Sequence, residues 1–212
     1  MLFYFAMAIF GDTPVSDLDI SDLGIEDRFG RVYQEANMSL NNMLAMMPQA
    51  VIKKGAIWSF VTYMFMHAGL THILFNMLGL FIFGTHVERQ MGSKEFLTFY
   101  LVTGALAGVL SFIIYAFSGN MLVNLVGASG ALYAVMLAYA VMYPSSVIYI
   151  WGILPLRAPV MVLGYTILSF IFILTGGRGN VAHATHLAGF VFAWLYFVIR
   201  FGISPWRRLT GK

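Results

Sequence analysis

Cysteine is absent from the 212 residues, which excludes disulfides, thiol nucleophiles and thiolate metal sites and leaves the redox compartment open. Charge is nearly as scarce: Asp, Glu, Lys and Arg make up 10% of the chain, whereas a soluble domain carries about a quarter. The small net charge of +3 reflects a basic tail and forms no stripe that could follow a phosphate backbone, so nucleic acid is not an expected partner. What fills the chain instead is hydrophobic side chain, 60% of all positions. That composition belongs to a polytopic protein whose partner is the lipid bilayer. At ~20 residues per span across a ~30 Å hydrocarbon core, the length allows one bundle of about six helices and no second domain.

Met1 to Phe10 is apolar but short for a span, and it lacks both a basic flank and a small-residue cleavage site, so a short first helix is expected rather than a cleavable signal. From residue 11 to about 56 the chain turns polar and holds seven of its nine acids, Asp12, Asp17, Asp19, Asp22, Glu26, Asp27 and Glu35. This reads as a long external loop, in which Leu40, Met43, Leu44 and Met47 recur at helical spacing and predict a helix along an interface or on the bundle.

Five further apolar stretches, Ile57–Gly84, Phe96–Phe117, Ala128–Tyr143, Val160–Thr175 and Ala182–Phe201, make residues 57–201 the expected helical core. Polar breaks separate them at Glu88-Arg89-Gln90, Ser118-Gly119-Asn120, Pro144-Ser145-Ser146 and 176–180. Val147–Leu154 is apolar too, but Pro155 and Pro159 around Arg157 predict a re-entrant or interfacial piece. With six spans, Arg89, Lys94, Arg157, Arg200, Arg207, Arg208 and Lys212 share one face against Arg178 in the short loops opposite, so that face, both termini and the tail at 202–212 are expected to be cytoplasmic. A bacterial cytoplasmic membrane is the default location.

Polar chemistry inside a membrane is costly and marks function. Ser129 lies in Gly127-Ala128-Ser129-Gly130 at the head of one apolar stretch, and His186 stands near the start of another. Ser129 is 15 residues from Pro144, while His186 is 14 from Arg200 and His72 is 14 from His86. At 1.5 Å per residue all three sit ~21–22 Å above the cytoplasmic ends, at one level. Asn76 follows His72 by four residues, and Tyr133 follows Ser129 by four, so each stacks on the same helix face as its partner.

A serine needs a base within hydrogen-bond reach, which a neutral His186 can supply. The Ser129 amide with His72 and Asn76 could hold an oxyanion. No acid lies at this level in any span, so a Ser-His dyad is expected, with Tyr133 orienting the histidine. Gly130, Ala134 and Ala138 on one helix and Gly189 with Ala193 on another form small-residue rows that let two backbones approach closely in lipid.

These residues resemble the rhomboid family of intramembrane serine proteases. The features that match are His72-Ile73-Leu74-Phe75-Asn76, Gly127-Ala128-Ser129-Gly130 with Tyr133 one turn on, and His186-Leu187-Ala188-Gly189, in order and over roughly Trp58 to Phe201. The resemblance implies an all-α, six-transmembrane-helix bundle without a cofactor. It implies cleavage of single-span membrane proteins near their outer boundary, at helices that unwind easily. The chain departs from the family pattern at Trp58-Ser59, where Trp-Arg is common, at Ala193, where the base-bearing helix often has a second glycine, and at Glu88-Arg89-Gln90, where Glu-x-Arg is common.

The alternative in another class is a non-catalytic rhomboid-like protein that binds or escorts transmembrane clients; such members generally lack the serine or histidine, and both are present here. A metal at His183 and His186 is disfavoured, because His-Glu-x-x-His is missing and no span offers a carboxylate ligand. A transporter is disfavoured because no charged residue lies midway in a span.

Overall fold

The computed structural model describes residues 43–150, 153–175 and 180–210. The expected first helix, most of the acidic loop, the 176–179 break with Arg178, and Lys212 lie outside them. Most of the described chain is helical. In chain order come α1 (Pro48–Lys54), α2 (Ser59–Thr62) with a 3-10 turn at Tyr63–Phe65, and α3 (Leu70–Gly79), which runs through a π turn at Leu80–Gly84 into α4 (Thr85–Met91). Then follow α5 (Ser93–Phe117), α6 (Ser129–Met142), a β1–β2 hairpin, α7 (Ala158–Leu174), α8 (Asn180–Phe201) and α9 (Pro205–Thr210).

Leu70–Met91, Ser93–Phe117 and His183–Phe201 are long and apolar enough to cross a membrane, and α6 and α7 are shorter apolar helices. The chain is thus an integral membrane protein built on a helical bundle. The fourteen residues of α6 rise only ~21 Å, which leaves the helix ~10 Å short of a ~30 Å core. α6 is also the best-buried helix, with Gly130, Ala131, Ala134, Val135, Ala138 and Ala140 among its enclosed positions. It stands between α5 and α8, and α7 packs on the outside.

Two sequence expectations are corrected and a third is shortened. The stretch from Ile57 is not one helix: Met66 is extended and Gly69 opens α3, so the span starts at Leu70 and continues to Met91. Hydropathy cannot see this break because Phe65 and Met66 are as apolar as the residues around them. The helix expected through Leu40, Met43, Leu44 and Met47 includes Met43 and Leu44 but stops there: Met46 pairs as an isolated bridge with Leu125, helix α1 begins at Pro48, and Leu40 lies outside the described residues. Proline suits the first helical position and disfavours helix in the residue before it. The all-α expectation fails at Val147–Ile150 and Leu154–Arg157, which pair antiparallel as β1 and β2 with Val147 opposite Arg157. Branched Val147, Ile148 and Ile150 favour a strand, and Pro155 sits on a two-stranded edge where its missing N–H costs little.

Two anchors hold the ends of the bundle. On the serine side, Gln49 N–H donates to Met121 O and Gly127 N–H to Tyr63 O, at 3.0 and 2.9 Å, so the segment before α3 is laced onto the loop before α6. Trp58 Nε1 donates to Met43 O at 3.0 Å, and the fully buried Ser59 turns its hydroxyl onto Ala56 O, so the loop is fixed without the Trp-Arg pair. At the opposite end Glu95 accepts from Arg200 Nε and Nη2 at 2.9 and 3.0 Å and from Tyr196 OH at 2.7 Å, clamping the start of α5 to the end of α8.

Candidate active site

Ser129 is the first residue of α6, and His186 lies two turns into α8. Their side chains meet, with Ser129 Oγ 2.8 Å from His186 Nε2. The approach depends on glycine at both crossing points. A Cβ at Gly189 would collide with the Gly130 carbonyl oxygen, and a Cβ at Gly130 would lie 2.9 Å from Thr185 Cγ2. Ala134, Ala138 and Ala193 are fully buried along the same contact. The small-residue rows therefore bring two backbones together where a larger side chain would hold the hydroxyl and imidazole apart.

Tyr133, one turn below Ser129, stacks on the His186 ring at a centroid distance of 4.0 Å and an interplanar angle of 12°. Its other neighbours are Phe190 and Tyr165, at 5.0 and 5.7 Å, and its hydroxyl lies against the buried Ser169 of α7. The tyrosine is thus held by three helices and limits how far the imidazole can tilt. His186 Nδ1 is buried with no hydrogen-bond partner among the described residues. For Nε2 to accept from the serine hydroxyl, the ring proton must sit on Nδ1.

Gly127 adopts φ +116°, a conformation that side chains strain against, and a Cβ there would lie 2.7 Å from His72 Nε2. The glycine therefore lets the His72 ring lie against the backbone immediately before Ser129. His72 Nδ1 accepts from the Ala68 N–H at 3.3 Å, which puts the neutral ring's proton on Nε2, the atom facing Gly127. The first N–H groups of α6, including that of Ser129, have no acceptor within their own helix.

Asn76 behaves differently from its neighbour. It is buried, but its Nδ2 donates to His72 O one turn back at 2.8 Å, so one of its two amide hydrogens is committed to its own helix. His183 stacks on Phe172 at 4.7 Å, edge-on to His186 at 5.9 Å, and no cluster of three metal-binding side chains occurs among the described residues.

Sequence reasoning passed over Ser111, Thr185, Ser169 and Tyr63. All four are buried polar side chains in apolar segments, and polar residues on membrane helices were the available signal. Tyr63 OH donates to Gly104 O at 2.7 Å, tying the 3-10 turn to α5.

A family model described as the Rhomboid domain matches residues 54–203. The RHOMBOID-like protein 12, mitochondrial, of Arabidopsis thaliana is 31% identical over 174 residues, covering 75% of this chain and 50% of that protein. Rhomboid-like protein 16, chloroplastic, of the same plant is 32% identical over 142 residues, covering 59% and 43%. The Rhomboid protease GluP of Bacillus subtilis is 36% identical over 84 residues, covering 40% of this chain and 15% of that protein. The chain thus spans half or less of the length of these relatives. They come from plant organelles as well as from a bacterium, so they lend the expected bacterial membrane no support. A family match across most of the described residues, on the same helices that bring the serine and histidine together, has one reading: the chain belongs to the rhomboid family.

Proposed function

We propose that the chain is an intramembrane serine endopeptidase that hydrolyses peptide bonds in single-span membrane proteins, with Ser129 as nucleophile and His186 as general base. The observation that carries this reading is the 2.8 Å contact between Ser129 Oγ and His186 Nε2, made by side chains of separate apolar helices. Packing alone does not call for a hydroxyl and an imidazole there, since a buried polar pair in hydrocarbon adds only about 0.6–2 kcal/mol.

His186 Nε2 takes the Ser129 proton as Oγ attacks the scissile carbonyl carbon, forming a tetrahedral oxyanion. His72 Nε2–H and the Ser129 N–H are the donors aimed at that oxygen, with the free amide hydrogen of Asn76 as a third. As the C–N bond breaks, His186 returns the proton to the leaving amine, and water then hydrolyses the acyl-enzyme by the same path in reverse order. The dyad works without a third carboxylate, because the Tyr133 ring does the orienting. A substrate helix hides its peptide bonds in its own hydrogen bonds, so segments that unwind easily are the expected substrates. The basic residues at the Arg200 end favour a cytoplasmic tail, with the serine toward the opposite face.

A serine-directed fluorophosphonate probe tests the assignment on the purified chain. Wild type is expected to label and Ser129→Ala is not. Labelling of both, or of neither under conditions that label a control serine hydrolase, would overturn it.

A further inference from the structure

Thr185 is 1% exposed and precedes His186 by one residue, so its side chain leaves α8 ~100° away from the imidazole. His186 faces α6, and Thr185 reaches α5. The Thr185 hydroxyl lies 2.7 Å from Ser111 Oγ, itself fully buried. Ser111 Oγ also donates to Ala107 O at 2.8 Å, on its own helix. The Tyr115 hydroxyl lies within hydrogen-bonding reach of both.

The other arm of the same side chain points at the nucleophile's neighbour. Thr185 Cγ2 occupies the space over Gly130, only 2.9 Å from where a Cβ would stand there. One side chain thus grips α5 through its hydroxyl and touches the residue next to Ser129 through its methyl, while being covalently joined to the base. Few residues can set the serine–histidine distance so directly. A valine could supply the packing alone, whereas the hydroxyl fixes rotation, because a hydrogen bond is directional and a methyl contact is not.

We propose that Thr185 is a positioning residue: its bond to Ser111 sets the rotation of α8 that brings His186 Nε2 onto Ser129. The inference rests on the dyad assigned above. A displacement of about 1 Å from a reacting geometry costs roughly 10²-fold in rate, and a partial rotation about α8 produces part of that.

The test compares Thr185→Val, Thr185→Ser and Ser111→Ala in the full chain, using cleavage of a reporter transmembrane segment and active-site titration by the fluorophosphonate. Thr185→Val keeps the shape and loses the bond, and turnover per titrated site is expected to fall roughly tenfold at unchanged KM. Thr185→Ser keeps the bond and is expected to retain most of the turnover. Ser111→Ala removes the same bond from α5, where it cannot disturb the packing of α8 on Gly130, and it reads the proposal even if Thr185→Val fails to fold. Combined with Thr185→Val it should add little further loss, because both remove one interaction. Wild-type turnover per site in Thr185→Val or Ser111→Ala would overturn the inference, as would equal losses in Thr185→Ser and Thr185→Val. A wild-type chain that neither labels nor cleaves would instead overturn the dyad.

Discussion

α6 and α7 are both short apolar helices, yet they do opposite work. α6 is enclosed on nearly every side and carries Ser129 and Tyr133. α7 buries Ala158, Met161, Val162 and Ser169 and leaves Leu163, Ile167, Leu168, Phe170, Ile171 and Leu174 exposed. Both are strongly apolar on average, α7 the more so, and the size of their side chains separates them further. α6 is rich in Gly and Ala where other helices press against it, and α7 is lined with Leu, Ile and Phe where it is exposed. In hydrocarbon there is no hydrophobic drive between helices, so close packing by small residues decides which helix goes to the centre.

The sharpest way to break the contrast is to strip the chemistry from the central pair. Ser129→Ala or His186→Ala is expected to lower reporter cleavage by at least about 10⁴-fold while leaving the protein folded, since dyad members act as a unit. Residual cleavage within tenfold of wild type would remove the functional half of the comparison. His72→Ala should cost roughly 10²-fold in kcat with KM little changed, the usual effect of losing one oxyanion donor. A rise in KM alone would mean that His72 binds substrate and does not stabilise the transition state.

The structural half can be sharpened with one substitution made on both sides. Gly189→Ala puts a methyl group against the Gly130 carbonyl, so α6 and α8 must separate. A loss of about 1–3 kcal/mol in unfolding measurements is expected, with activity lost alongside. Gly164→Ala on α7 meets nothing within 4 Å and should be neutral or stabilise by up to about 1 kcal/mol, because alanine is the better helix former. Equal effects from the two would show that the α6–α8 contact is looser than its geometry requires. Smallest of all, Glu95→Gln loosens an exposed clamp between α5 and α8 and is expected to leave turnover unchanged.

Much of the site was legible because its elements repeat along a helix. Counting residues along the apolar stretches put Ser129, His186 and His72 at one expected level, and i to i+4 spacing put Tyr133 beside the serine, where its ring stacks on His186. Asn76 was harder. Spacing placed it under His72, but the same spacing lets its amide turn back to the His72 carbonyl, and only coordinates distinguish these directions. Ser111 and Thr185 escaped notice because 74 residues separate them and neither carries a pattern of its own.

The sequence by itself determined the apolar surroundings of this protein and which polar side chains its apolar helices carry. These are properties of a single helix and its transfer into lipid. The tertiary structure alone decided that the span carrying His72 begins at Leu70, that the segment after α6 is a hairpin, and that Thr185 is wedged between Ser111 and Gly130. Those outcomes depend on how separate helices cross. Crossing is set by which backbones can touch, a quantity that no hydropathy or spacing along one chain segment contains.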